Sequence, residues 1–310
     1  MKIIFYQDRN VTDYKIVELK NSINIFFNNE KNKKKFNIDY KFITFEQLKK
    51  NNFELIPCDY AIIFNVYSDN KKNTIYRKYI QEFQNKNNNK LIVFELGYIN
   101  RNEYYQMGYN SIINYGNYPT FPKNTERLKD LVKIEKLKFN YNSNPEKHIL
   151  LALQIPTDTQ ITISGINYKE WILNTINLIR EYTKRKIIIR LHPKLKLTSK
   201  RKLINFYEKN LKNYADISNN SLDFDLNNSH CVIAFNSTIL VDAIINSIPI
   251  IACHYSSIVY DLSEKIKDIE NFKRFSNNDI VNCLSNISYK QWKLREIEKG
   301  IPFKYYIFNS

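Results

Sequence analysis

Short apolar runs recur along the chain and alternate with stretches of helical period. "KIIFY" (2–6), "YKFITF" (40–45), "YAIIFNV" (60–66) and "KLIVFE" (90–95) read as strands, and residues 13–27 and 74–85 read as helices between them. Strands of this kind, apolar on successive positions rather than alternate ones, are buried on both faces, which predicts a parallel sheet with helices on both sides. The pattern breaks over 96–121, a tyrosine-rich stretch with little periodicity that reads as a long loop. Residues 125–138 read as a helix and linker, and "NYNSNPEKH" (140–148), polar with a proline, is the best domain boundary.

A second alternation follows the boundary. "HILLAL" (148–153), "KIIIRL" (186–191), "ADI" (215–217), "HCVIAF" (230–235) and "PIIAC" (249–253) read as strands. Helices are expected over 168–184, 199–213 and 237–247, and two more, at about 278–284 and 289–299, finish the chain. The fold class is therefore α/β, with two Rossmann-like domains facing each other across a cleft. The expected division is an N-terminal domain over 1–140, a C-terminal domain over 147–287, and a terminal helix over 288–310 that returns to the N-terminal domain.

Ligands of such sheets bind beyond the carboxyl ends of the strands, so chemistry is sought there. His192 leaves the strand "KIIIRL", with Arg190 before it and Pro193 after it. The proline restricts His192 to extended backbone. An imidazole so placed can hydrogen-bond a phosphate or a sugar hydroxyl, and it can equally be a surface histidine. In "AFNSTILVDAII" (234–245), Asn236, Ser237 and Thr238 follow a buried strand and precede an apolar helix: a capping cluster, and equally an anion site. In "LALQIPTDTQI" (151–161), Gln154 and Asp158 follow the first strand of the second half; the aspartate suits a base, a nucleophile, a hydroxyl acceptor or a plain turn. Glu95 ends the strand "LIVFE", with Gly97, Arg101, Tyr104 and Tyr105 beyond it. These suit a general base and an acceptor platform, or a salt bridge and buried rings.

Composition narrows the classes. With 310 residues, 43% hydrophobic and 14% aromatic, the chain buries a sizeable core despite its many Asn and Lys. The formal charge of +16 favours an anionic partner, although compositional drift alone produces such values. The dense run "KNKKK" (31–35) reads as a solvated loop. The four cysteines form no CxxC, which reads as reduced thiols in a cytoplasmic protein. Neither a signal-peptide apolar region nor a membrane-length apolar run is seen. The absence of GxGxxG, a P-loop and a G-x-S-x-G elbow disfavours dinucleotide oxidoreductases, Walker NTPases and serine hydrolases. No metal site is expected, since the histidines lack ligand spacing and "DFD" (223–225) alone is weak.

Taken in order, "ELGYINR", "LQIPTDTQI", "RLHP", "FNSTILVDAIINSIPII" and "YKQWKLREIEKG" resemble the capsule-polysaccharide Kdo-transferase-like glycosyltransferases and their relatives in phage genomes. The pieces run from residue 94 to 300; the first ninety residues match only as a generic Rossmann half. The resemblance implies a GT-B fold, a UDP- or CMP-linked sugar as co-substrate, and no metal or other cofactor. It places donor binding on His192, Pro193, Ser237 and Thr238 and the acidic residues on Glu95 and Asp158; from their own positions, Gln154, Arg190 and Asn236 are expected to join the donor site, and Gly97, Arg101, Tyr104 and Tyr105 to bind the acceptor. The chain departs from the family where a glycine usually follows the Ser/Thr motif. The best-matching acceptor is a hydroxymethyl pyrimidine, such as 5-hydroxymethylcytosine, in phage duplex DNA, which would place the enzyme in the host cytoplasm. The alternative is an anionic glycan or lipid-linked acceptor at a membrane, and a third reading is a non-catalytic nucleic-acid-binding protein. No stable protein partner is inferred.

Overall fold

The computed structural model describes residues 1–7, 14–66, 75–141, 144–272 and 274–308. The expected helix starts at Asp13 and Thr74, and the centre of the polar boundary at 142–143, lie outside the described residues. The chain divides into two compact units, Met1–Lys123 with Asn286–Ser310, and Asn124–Ser285. Residues 124–140 thus go with the second unit and the last 25 with the first.

The first unit contains β1 (Lys2–Gln7), α1 (Tyr14–Asn28), α2 (Glu30–Phe36), β2 (Asp39–Thr44), α3 (Phe45–Lys50), β3 (Tyr60–Phe64), α4 (Ile75–Lys86), β4 (Lys90–Leu96) and β5 (Tyr104–Tyr109). The second unit follows with α5 (Glu126–Lys129), β6 (His148–Ala152), α6 (Thr159–Thr162), α7 (Tyr168–Tyr182), β7 (Ile187–Arg190), α8 (Leu197–Asn210), β8 (Asp216–Ile217), α9 (Leu222–Asn227), β9 (Ser229–Ala234), α10 (Ile239–Ile245) and β10 (Ile250–Ala252). Helix α11 (Asn277–Ser288) carries the chain back to the first unit, where β11 (Gln291–Lys293), α12 (Leu294–Glu298), α13 (Ile301–Phe303) and one π-helical stretch (Lys304–Phe308) end it.

The first sheet has the order β11-β5-β4-β3-β1-β2, and β1 to β4 are parallel. Successive residues of each strand enter opposite cores, as the two-residue period of a strand requires. Ile3, Phe5, Ile62, Ile92 and Phe94 pack with α1 and the C-terminal helices, and Ile4, Tyr6, Ala61, Ile63, Leu91 and Val93 pack with Tyr76 and Ile80 of α4. Two expectations are corrected here. The tyrosine-rich stretch is not one long loop: its centre is β5, antiparallel to β4. The stretch read as a helix over 289–299 begins instead with β11, antiparallel to β5 with Trp292 opposite Tyr105. Neither strand shows alternation because each is covered on both faces, and β11 is too short to show a period. The run "KNKKK" is also helical: it lies in α2, which buries no residue and is held at its ends. The Asn29 side chain accepts from the Lys31 and Asn32 amides, and Asn37 stops the helix at φ 51°.

The second sheet is wholly parallel, with the order β10-β9-β6-β7-β8. Ile149, Leu151, Ile187, Ile189, Cys231, Ile233 and Ile251 pack against Ile172, Ile176 and Ile179 of α7 and Leu203 and Tyr207 of α8. The chain leaves β6 toward β7 and β8, then returns to the other side of β6 for β9 and β10. The order reverses at β6, so the connections that follow β6 and β9 leave toward opposite sides of the sheet, the kind of position at the carboxyl edge where such sheets bind ligands. Among the described residues no helix is long and apolar enough to cross a membrane.

Candidate functional site

The register of the second sheet aligns Ala252, Ala234, Ala152 and Arg190 in one row across β10, β9, β6 and β7. The backbone ladder continues past this row: the amides of Leu153, Cys253 and His254 donate to the carbonyls of Arg190, Ala234 and Phe235 at 2.9, 2.9 and 3.0 Å. Two residues beyond the row, in the loops that leave the four strands, stand His254, Asn236, Gln154 and His192. Four polar side chains thus follow four adjacent strands by the same number of residues.

Their hydrogen bonds tie the central loops together. Gln154 Nε2 donates to Asn236 Oδ1 at 2.9 Å, and the Asn236 backbone amide donates to Gln154 Oε1 at 3.2 Å. Asn236 Nδ2 donates to Ser256 Oγ at 2.8 Å, and the Gln154 amide donates to the Tyr168 hydroxyl at 2.7 Å. Gln154, Asn236 and Ser256 are buried, at 7%, 5% and 0% exposure. Asn236 is therefore a brace between the loops after β6, β9 and β10, not the helix cap expected from "NST". Thr238 precedes α10 without a capping bond, and Ser237 Oγ accepts from the Ile239 amide at 3.4 Å. Ser237 and Thr238 are half-buried.

His192 is half-buried and Pro193 exposed. The Lys194 amide donates to His192 Nδ1 at 3.1 Å, so Nε2 carries the ring proton of the neutral imidazole. Lys194, Lys196, Lys200, Arg201 and Lys202 follow, all exposed. Arg190 has a structural partner that the sequence did not indicate. Its Nη1 donates to Asp225 Oδ2 at 2.5 Å and to the Asn220 carbonyl at 3.0 Å, and Ser218 Oγ donates to the same carboxylate oxygen at 2.6 Å. The second aspartate of "DFD" is thus the buried anchor of Arg190. Asp158 caps the short α6, with Oδ1 accepting from the Gln160 amide at 3.0 Å, in the same unit as the row.

The remaining candidates lie in the first unit. Glu95 sits within the β4–β5 pairing opposite Gln106, and its Oε1 accepts from the Leu96 amide at 2.9 Å. Gly97 has a packing reason: a Cβ there would lie 2.8 Å from Tyr104 Cβ. Beside it, buried Gln291 accepts from the Tyr98 and Ile99 amides at 2.7 and 2.9 Å. Arg101 is exposed in the turn that follows. Tyr104 and Tyr105 are core rather than surface, at 5% and 2% exposure; the Tyr105 hydroxyl donates to the Lys15 carbonyl at 2.7 Å. Tyr98 is fully buried as well, and burial pushes its hydroxyl far above the usual phenol range.

Sequence reasoning missed the loop after β10, "CHYSSIV". Its His254 ring stacks on Phe235 with centroids 4.7 Å apart, and Tyr255 lies 4.4 Å beyond. Burial lowers the His254 pKa below its ordinary value. The signal was a His-Tyr-Ser-Ser run directly after an apolar strand, the same placement that drew notice to His192.

Each unit is a Rossmann-like α/β sheet, and the likeness to solved structures gives the chain the GT-B class of fold. No family model matches the chain, and no curated protein matches it. Among solved structures it is similar to the β-Kdo 2,4-transferase of KpsC from Thermosulfurimonas dismutans, with a TM-score of 0.52 at 11% identity over 94% of this chain and 92% of that one. The β-Kdo 2,7-transferase of the same protein gives 0.49 at 15% identity over 96% and 98%. A UDP-GlcNAc 2-epimerase from Methanocaldococcus jannaschii, in complex with UDP-GlcNAc and UDP, gives 0.33 at 13% identity over 99% and 100%.

Proposed function

We propose that this chain is a glycosyltransferase that takes its sugar from a nucleotide-sugar donor and passes it to a hydroxyl of an anionic acceptor. The observation that carries the reading is the row His254, Asn236, Gln154 and His192 at the carboxyl edge of a parallel sheet, where the strand order reverses. A fold shared with a Kdo transferase supports the reaction class. In this reading His192 Nε2–H, with the Ser237 and Thr238 hydroxyls, holds the donor phosphate and offsets the charge that grows on it as the sugar leaves. The sugar–phosphate bond breaks and a bond to the acceptor oxygen forms. The acceptor proton passes to a carboxylate, Asp158 or Glu95. Arg190, held by Asp225, acts by fixing the end of β7 beneath His192.

The acceptor is anionic in this reading because five exposed cations, Lys194 to Lys202, flank His192 and the chain carries +16 overall. Burial of Tyr98, Tyr104 and Tyr105 leaves those rings little surface for stacking on a flipped base. The experiment is a mass-spectrometric screen of the protein with UDP-, CMP- and GDP-sugars, each with hydroxymethylcytosine duplex DNA or a Kdo-terminated glycan. Sugar transfer in any pair is expected, and His192→Ala should lower it at least tenfold. Neither transfer nor donor hydrolysis in any pair would end the glycosyltransferase reading.

A further inference from the structure

We infer that His254 is a second imidazole of the donor site, a neutral Nε2–H hydrogen-bond donor to an oxygen of the bound nucleotide, held in that tautomer by a one-way hydrogen-bond chain through Gln154, Asn236 and Ser256. The inference rests on the nucleotide-sugar reading of the site, and the chain itself rests on geometry alone.

The direction of the chain is set at both ends by backbone amides, which only donate. The Asn236 amide donates to Gln154 Oε1, so the other end of that side chain, Nε2, faces Asn236 Oδ1 as a donor. Asn236 must then present Nδ2 to Ser256 Oγ, 2.8 Å away. Ser256 Oγ accepts that bond and, lying 2.7 Å from His254 Nδ1, donates to a bare Nδ1 or accepts from a protonated one, so the Ser256 amide decides the direction. At the far end, the Ser256 amide also points at Nδ1, from 3.3 Å. With Nδ1 accepting from both, the ring proton resides on Nε2. Protonating Nδ1 would set the imidazolium against two donors, which agrees with the lowered pKa from burial.

His192 repeats the device after β7, at the other end of the row. There too the amide two residues on, at Lys194, donates to Nδ1. The same local turn therefore sets the same tautomer after β7 and after β10, at equivalent positions of one row. A fully buried serine, an asparagine at 5% exposure and a glutamine at 7% exposure form a satisfied network that holds the loop after β10 in one arrangement. A tautomer fixed in advance supplies a donor without reorganisation when an oxygen anion arrives.

The test is calorimetric titration of the full chain with UDP and with CMP, together with two-bond nitrogen–proton correlation spectra of histidine-labelled protein. His254→Phe keeps the stacked ring and removes the N–H; it should weaken nucleotide binding about 10- to 100-fold, the worth of a hydrogen bond to a charged oxygen. His254→Gln restores an N–H at the Nε2 position and should recover most of that loss, which a merely structural role would not produce. The wild-type spectrum at pH 7 should show Nε2–H for the signal that His254→Gln removes. Equal affinity of wild type and His254→Phe would overturn the role of His254 and leave the nucleotide reading standing. An Nδ1–H tautomer or an imidazolium would overturn the chain. Wild-type protein that binds neither nucleotide would overturn the ligand assignment together with the proposed function, while the tautomer spectrum would still decide the chain.

Discussion

Removing the Asn236 side chain tests the brace directly. Asn236→Ala deletes the bond from Gln154 Nε2 at 2.9 Å and the bond to Ser256 Oγ at 2.8 Å, while the Asn236 backbone amide keeps its bond to Gln154 Oε1. Ser256 Oγ still donates to His254, so it is not orphaned. Gln154 Nε2 is orphaned, in a side chain at 7% exposure. Two lost hydrogen bonds are worth about 1 kcal/mol each, and stranding one buried amide donor adds about 1 kcal/mol, for a total of about 3 kcal/mol. If the second unit unfolds as one body, that corresponds to a fall in Tm of roughly 6–12 °C. Urea denaturation of wild type, Asn236→Ala, Gln154→Ala and the double variant measures it. In the double variant the orphan is gone, so the two single losses should sum to about 1–2 kcal/mol more than the double loss. A loss under about 0.5 kcal/mol for Asn236→Ala, or strict additivity in the cycle, would refute the brace.

Three further outcomes follow from other parts of the molecule. Among the described residues, Arg190→Met leaves Asp225, whose side chain is 1% exposed, with only the Ser218 hydroxyl on its carboxylate; a loss of about 3–5 kcal/mol is expected, with Arg190→Met/Asp225→Leu costing less than the single variant in the same denaturation assay. Gly300 has φ +71°, and a Cβ there would lie 2.0 Å from Phe26 Cε2, so Gly300→Ala should cost about 2 kcal/mol or more and lower Tm accordingly. Burial lowers the pKa values of His148, His230 and His254 from 6.5, so the unfolded chain binds more protons at mildly acid pH than the folded one. Stability is then fully present above about pH 6.5 and is lost progressively as pH falls below it, and His230→Phe should flatten the dependence of the urea midpoint on pH in that window.

The linear chain by itself determined the class of fold. Apolar runs at regular intervals, separated by stretches of helical period, specify strands of parallel sheets, and nine strands of the two sheets stand where those runs lie, the edge strands β2 and β8 less buried than the rest. It also placed Gln154, His192 and Asn236, because a polar residue directly after an apolar run marks a carboxyl strand end. Tertiary structure decided the rest. Strands β5 and β11 are invisible locally: all but the last residue of "YYQMGY" are buried, and "QWK" becomes a strand only by pairing with residues some 185 positions earlier. The partner of Arg190 lies 35 residues away and that of Gln154 82 residues away, and no local period encodes either distance. What made His254 part of the site was the lateral register of four strands, which aligns Ala252, Ala234, Ala152 and Arg190 and so brings the residues two beyond them to one edge. Register is a property of paired strands, set by hydrogen bonds between segments distant in the chain, and it exists only once the sheet has formed.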